Sequence, residues 1–300
     1  MRTVYLGTSE FAVDVLEAVA ATPHRPLLVV TRPDRPRGRG RRVQPPPVAE
    51  RSALLGIETI QPEDVNSEEA RAAISAAEPE AVLICAYGAL LKEPLLSEHE
   101  MLNVHPSLLP RWRGAAPIER AIEAGDEETG VSIMRPTAQF DAGPVCLQRS
   151  ERIRPDDDYG SLAPRLAALG GELLIETLDI RPPCREQPEQ GVTYGEKIDS
   201  DDRRLDPALR ATELERRVRA LTPHLGAYIE LESGERLGVR RARLAAGVGG
   251  VPPGELAVDD ARVLYGTAQG ALELLELHPP GKRPMDAAAW LRGRGGRVPG

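Results

Sequence analysis

Asn103 and His105 lie two residues apart in the apolar run Leu102-Asn103-Val104-His105, which reads as a short strand leading into Pro106. Residues two apart on a strand share a face, so an amide donor and an imidazole project together. Such a pair suits a carbonyl carbon under attack: the amide donates to the developing oxyanion, and the imidazole adds a second donor or a proton. By itself Asn-x-His is more often a hydrogen-bonded structural pair. The third candidate is Asp141, in Gln139-Phe140-Asp141-Ala142-Gly143-Pro144. An Asp in a turn ordinarily bonds its own backbone. Here it follows an expected strand at 130–134 and falls within reach of His105, where a carboxylate fixes the imidazole tautomer and favours its charged form.

These residues need a scaffold that brings strand ends together. Apolar runs at 3–7, 26–31, 57–61, 81–86, 102–105 and 130–134 alternate with helical stretches at 9–21, 45–55, 66–77 and 117–124. That alternation predicts an α/β fold, a Rossmann-like parallel sheet covered on both faces, with ligands at the carboxyl ends of its strands. A helix over 159–178 closes the domain, here drawn as 1–180. Residues 181–207, rich in proline and charge, read as a linker. From 208 to 300 the pattern changes to a helix at 212–221 and five short strands separated by Gly, Asp and Pro, the signature of a small OB-like β-barrel. The loop after the first strand, Leu6-Gly7-Thr8-Ser9-Glu10-Phe11, holds one glycine where a dinucleotide binder has three, which argues against a nicotinamide cofactor.

Hydrophobic residues make up 41% of the chain but aromatics only 3%, so the cores are expected to be aliphatic. No stretch approaches the roughly 20 apolar residues of a membrane span, and the first residues read directly into a strand rather than a signal peptide. Cys85, Cys146 and Cys184 are far apart and lack CxxC spacing. That predicts neither a disulfide nor a zinc site, with Cys85 a small buried hydrophobe, and places the protein in the cytoplasm. The net charge of −8 is unevenly spread, because residues 32–42 hold six arginines against Asp34 alone.

The run NVHPSLLPRWRGAAPI (103–118) and the DAG at 141–143 resemble the 10-formyltetrahydrofolate-dependent formyltransferase family, and within it the branch that formylates methionyl-tRNA. Further matches are GTSEFA at 7–12, PDRPRGRG at 33–40, AYG at 86–88, AGDEETGVSIM at 124–134, VTYGEKI at 192–198 and PPGK at 279–282, covering nearly the whole chain. The resemblance implies that Asn103, His105 and Asp141 are catalytic. It implies 10-formyltetrahydrofolate as one-carbon donor without a metal, and a charged initiator tRNA as acceptor in translation initiation. By the same resemblance, Ala86, Tyr87, Gly88 and Leu90 line a pterin pocket, and Ser107, Leu108, Leu109 and Pro110 flank it. Phe140 stands where the family commonly has Leu or Met, and Ala142 where it has Thr, which alters the hydrogen bonding beside Asp141. Leu221-Thr222-Pro223-His224 replaces a usual Phe-Asn-Pro-Trp, so an aromatic contact there is expected to weaken.

Composition alone makes the 32–42 segment a solvated basic loop. Similar tRNA-formylating enzymes carry an insertion here that embraces the acceptor stem, which makes Arg35, Arg37, Arg39, Arg41 and Arg42 tRNA contacts, Arg39 foremost. With no aromatic in the segment, the expected target is phosphate rather than bases. The barrel adds Arg236, Arg240, Arg241, Arg243, Lys282, Arg283, Arg292, Arg294 and Arg297, for which solvated surface is the competing reading. No membrane or protein partner is called for, and a monomer is expected. Alternatives are a nucleotide-amino-sugar formyltransferase using the same trio, a folate-dependent hydrolase, and a non-catalytic tRNA-binding homologue.

Overall fold

The computed structural model describes residues 1–37, 40, 42–247 and 250–299. They form two compact units, one of residues 1–114, 128–152 and 163–194, the other of 115–127, 153–162 and 195–300.

In the first unit β1 (Thr3–Gly7) is buried at every position, as a strand with both faces covered must be. Ser9 caps α1 (Glu10–Ala20) by accepting from the Ala12 amide. After β2 (Pro26–Val30), the arginine segment forms an antiparallel hairpin of β3 (Arg35–Arg37) and β4 (Arg42–Gln44). There follow α2 (Pro47–Leu55), β5 (Glu58–Ile60), α3 (Glu68–Ala76), β6 (Ala81–Cys85), the single turn α4 (Leu95–Glu98) and β7 (Met101–His105). Beyond α5 (Pro117–Ala124), which falls in the second unit, come β8 (Glu128–Met134), β9 (Val145–Arg152) and α6 (Tyr159–Ile180).

The strands form one seven-stranded sheet in the order β5-β2-β1-β6-β7-β8-β9. The first five are parallel, but β8 and β9 run antiparallel, so the expected all-parallel sheet is mixed at one edge. β9 has no counterpart in the sequence reading. Its stretch VCLQRSER buries one residue and exposes most of the rest, which hides an edge strand among polar residues. Gly7, where a phosphate-binding glycine would stand, serves packing. A Cβ there would meet the Tyr5 ring at 2.6 Å and the Cys85 carbonyl at 3.2 Å.

One expectation for the cysteines of this unit is corrected. Cys146 and Cys184 are joined by a disulfide. Val145 and Arg185 exchange both backbone hydrogen bonds at 2.8 Å, and that antiparallel register sets the two neighbouring cysteines opposite each other. Residues 182–194 belong to this unit and form a strap, paired with the start of β9 at Arg185 and with Arg113 at Thr193. Cys85, by contrast, is buried as expected, and burial pushes its thiol up to about 12.

The second unit is built on α7 (Ala211–Leu221) and an antiparallel sheet of β10 (Ala227–Glu230), β11 (Arg236–Leu244), β12 (Leu256–Asp259), β13 (Arg262–Gly266) and β14 (Ala271–His278). Its order is β10-β11-β14-β13-β12, with the short β15 (Met285–Asp286) on β14 and α8 (Ala287–Arg292) after it. Among the described residues β10 and β12 do not pair, so the barrel-like sheet is open between them. Leu214 and Val218 of α7, Ile229, Val239 and Leu272 of the sheet and Trp290 of α8 share its core. His224, at the position where an aromatic contact is expected to weaken, stacks on Tyr159 with ring centroids 3.7 Å apart.

Arg120 donates to Glu123 and Asp202 at 2.8 Å each, and Arg217 donates to Glu123 at 2.7 Å. Partial burial works to raise the Asp202 carboxyl, but the hydrogen bonds from Arg120 and from the Asp199 amide outweigh it and hold it below the usual range. A carboxyl depressed in the folded state contributes stability that is complete above its unfolded pKa and fades as pH falls through the folded one. The second unit is therefore expected to lose thermal stability below about pH 4, and Asp202→Asn to flatten that acid limb; an unchanged limb in the variant assigns it to other carboxyls.

Candidate active site

The carboxyl end of β7 presents Asn103 half-buried and His105 buried, 4% exposed. The Asn103 amide makes no hydrogen bond among the described residues, so the reading of Asn-x-His as a structural pair finds no support. It is free to bind an oxygen from outside the protein. His105 has an oxygen facing each ring nitrogen, one hydrogen-bonded and one at ion-pair distance. Its Nε2 lies 2.9 Å from the Trp112 carbonyl, which can only accept, so Nε2 carries a hydrogen. Its Nδ1 lies 3.7 Å from Asp141 Oδ2.

Asp141 stands in the turn between β8 and β9, with φ of 45°. Its Oδ2 also accepts from the Gly114 amide at 2.9 Å. Gly143 admits no side chain, since a Cβ would lie 1.9 Å from the Arg135 carbonyl oxygen. The structure thus brings His105 and Asp141 together, with Asn103 two residues back along the same strand face.

Of the residues expected around a pterin, Ala86, Gly88 and Leu90 are exposed past the end of β6, while Tyr87 is buried. Ala86 and Gly88 have positive φ. The Tyr87 carbonyl accepts from Thr8 Oγ1 at 2.6 Å, and burial pushes its hydroxyl up to about 12. The Ser107 hydroxyl donates inward to the Arg111 carbonyl at 2.6 Å, and the Leu109 carbonyl accepts from Gln148 at 3.1 Å. Ser107 and Leu109 thus shape the turn, while Leu108 and Pro110 stay half-exposed. Phe140 is 62% exposed.

Two contributors escaped the sequence reading. Gln187 donates to the carbonyls of Asp141 and Gly143, both at 2.8 Å, and accepts from Arg113 Nε at 2.9 Å. Thr193 Oγ1 accepts from the Trp112 amide at 2.9 Å. The only sequence signal for either is the VTYGEKI run, which contains Thr193.

In the basic segment Arg35 pairs with Glu63 at 2.8 Å, and Arg42 is exposed with no ion pair among the described residues. Arg37 aligns with Arg42 across the hairpin, whereas Arg39 and Arg41 lie outside the described residues. In the second unit Arg243 is held twice by Glu273, and Arg236 and Arg294 lie over the rings of Tyr228 and Trp290. Arg240 bonds the Pro223 carbonyl, leaving Arg241, Lys282, Arg283, Arg292 and Arg297 without such partners among the described residues. Gly143→Ala is expected to cost about 1–3 kcal/mol by overpacking, read as a lower denaturant midpoint; an unshifted midpoint means the turn can relax around a Cβ.

The model of the formyl transferase family matches residues 1–178, and that of the formyl transferase C-terminal domain matches 197–295. The methionyl-tRNA formyltransferase of Methylococcus capsulatus is 44% identical over 97% of this chain and 96% of its own length. That of Ruegeria pomeroyi is 42% identical over 98% and 97%. Among solved structures, HypX from Aquifex aeolicus in complex with tetrahydrofolic acid is similar in fold, with a TM-score of 0.64 at 20% identity. The match covers 97% of this chain but 47% of HypX, about half that protein.

Proposed function

Since this chain belongs to the formyl transferase family, both of whose domains it matches, we propose that it moves a formyl group from 10-formyltetrahydrofolate to the α-amino group of a methionyl initiator tRNA. Relatives that carry the name methionyl-tRNA formyltransferase align along almost their whole length. The observation that carries the chemistry is the approach of Asp141 to His105 at 3.7 Å beside an uncommitted Asn103 amide.

On this reading the acceptor amine attacks the formyl carbon on folate N10 and a tetrahedral intermediate forms. Asn103 donates to its oxyanion, and charged His105, held by Asp141, stabilises the same charge. Asp141 receives the proton lost from the amine, directly or through water. The bond from carbon to N10 then breaks, the oxyanion collapses to the formyl carbonyl, and N10 takes up a proton. The pterin would lie against Ala86, Tyr87, Gly88 and Leu90, flanked by the turn from Ser107 to Pro110. We assign residues 1–180 to formyl transfer, 181–207 to the connection and 208–300 to tRNA binding, in a monomer of the cytoplasm. No helix among the described residues is long and apolar enough to cross a membrane. Arg35, Arg37, Arg39, Arg41 and Arg42 would grip the acceptor's phosphates.

The test offers 10-formyltetrahydrofolate with methionyl initiator tRNA, a nucleotide amino-sugar and free methionine. Formylation of the charged tRNA is expected; transfer to the sugar alone would keep the trio and overturn the acceptor. His105→Ala and Asp141→Asn are each expected to lower kcat by about 10²–10³ with tRNA affinity unchanged, and a parallel loss of affinity would make both residues structural. Arg42→Ala is expected to raise the KM for tRNA and reduce the salt slope by about one; an unchanged slope makes the hairpin a bystander.

A further inference from the structure

Two residues that border His105 adopt a backbone conformation that non-glycine residues rarely take: Trp112, with φ of 59°, and Asp141, with φ of 45°. Such conformations persist only where surrounding contacts impose them. Both are held by side chains of the same strap. Thr193 accepts from the Trp112 amide at 2.9 Å, and the Trp112 carbonyl is the partner of His105 Nε2. Gln187 donates to the carbonyls of Asp141 and Gly143, and Asp141 is the partner of His105 Nδ1. Gln187 is the one residue of 185–190 that is only half-exposed, so its side chain is turned inward out of an otherwise exposed stretch.

The strap is itself fixed on both sides of these two residues. Val145 and Arg185 pair through their backbones two residues before Gln187, next to the Cys146–Cys184 disulfide. The Arg113 amide bonds the Thr193 carbonyl at 2.9 Å, and Arg113 Nε bonds Gln187 Oε1 at 2.9 Å. Arg113 therefore ties the two strap residues together and orients the Gln187 amide, leaving its nitrogen to the two carbonyls.

The geometry points to Gln187 and Thr193 as positioning residues that set the two partners of the His105 imidazole. Neither reaches the reacting atoms; each acts through a strained backbone residue that does the holding. The catalytic consequence rests on the formyl-transfer reading, while the effect on the His105 ring does not.

The isosteric Thr193→Val removes the acceptor of the Trp112 amide, and Thr193→Ser restores it. Gln187→Ala removes both of the amide's roles. Gln187→Glu keeps the acceptor for Arg113 but replaces the donor with a carboxylate oxygen facing two carbonyls. With methionyl initiator tRNA and 10-formyltetrahydrofolate, Thr193→Val, Gln187→Ala and Gln187→Glu are expected to lower kcat by about tenfold to a hundredfold. Both KM values should stay within about twofold, and Thr193→Ser should match the unaltered protein. Unchanged kcat in Gln187→Ala and Thr193→Val, or full activity in Gln187→Glu, overturns the proposal.

A second readout needs no turnover. In histidine labelled with 15N, the His105 ring shifts report which nitrogen carries hydrogen. They are expected to move in Thr193→Val and to return in Thr193→Ser. A ring spectrum identical in all forms overturns the positioning role whatever the protein catalyses. If the unaltered protein formylates no acceptor, the functional reading fails, and these spectra still decide the role of the strap.

Discussion

A buried imidazole with an oxygen acceptor at each nitrogen is the constraint on which the rest of the first unit depends. His105 is almost wholly withdrawn from water, so its partners must come from the protein, and both come from backbone that would not choose its conformation alone. The Trp112 carbonyl and the Asp141 carboxylate each belong to a residue with positive φ. Each such residue costs on the order of 1–3 kcal/mol, and the surrounding hydrogen bonds must offset that cost. The Gly114 amide, Gln187 and Thr193 supply those bonds, and Gly143 supplies the space in which the Asp141 turn can close.

The mixed sheet serves the same end. Five parallel strands place the ends of β1, β2, β5, β6 and β7 at one edge. A sixth parallel strand would need its crossover to pass over the sheet again. The chain instead returns antiparallel through β8 and β9, and the turn between them delivers Asp141 to a strand two positions away in the sheet order. β9 then becomes the rail on which the strap pairs at Val145. Both backbone bonds between Val145 and Arg185 are made beside the disulfide, so the register and the cross-link agree.

Much of this was legible before the structure, and what was not has a common cause. Period-two spacing put Asn103 and His105 on one face, and aliphatic runs bounded by turns located most strands to within two residues. Asp141 needed the motif resemblance, because an Asp in a turn has a local use that competes with any distant one. Gln187 had no local signature at all. It acts through bonds to residues 44 and 46 positions away, in a stretch whose proline and charge resemble a linker. The Arg35–Gln44 hairpin was hidden because arginine and Pro36 are poor strand formers, tolerated here because β3 and β4 make a sheet of their own. The disulfide could not be read from cysteine spacing, since only the docking of the strap makes the pair neighbours.

The topology also separates the basic hairpin from the His105 site while keeping both at the carboxyl ends of the parallel strands. The hairpin leaves the carboxyl end of β2, the trio is anchored at that of β7, and three strand spacings lie between them in the order β2-β1-β6-β7. At about 4.8 Å per spacing the two strand ends lie roughly 14 Å apart, near enough, on the proposed function, for the hairpin to hold the body of an acceptor whose end reaches the trio. Arginines at such a distance can fix phosphate positions and register but cannot read the group being modified. On the proposed function, acceptor preference can change by rebuilding the hairpin while Asn103, His105, Asp141 and the strap stay as they are. The strap cannot change so freely, because Gln187 and Thr193 bond the two residues that face the imidazole.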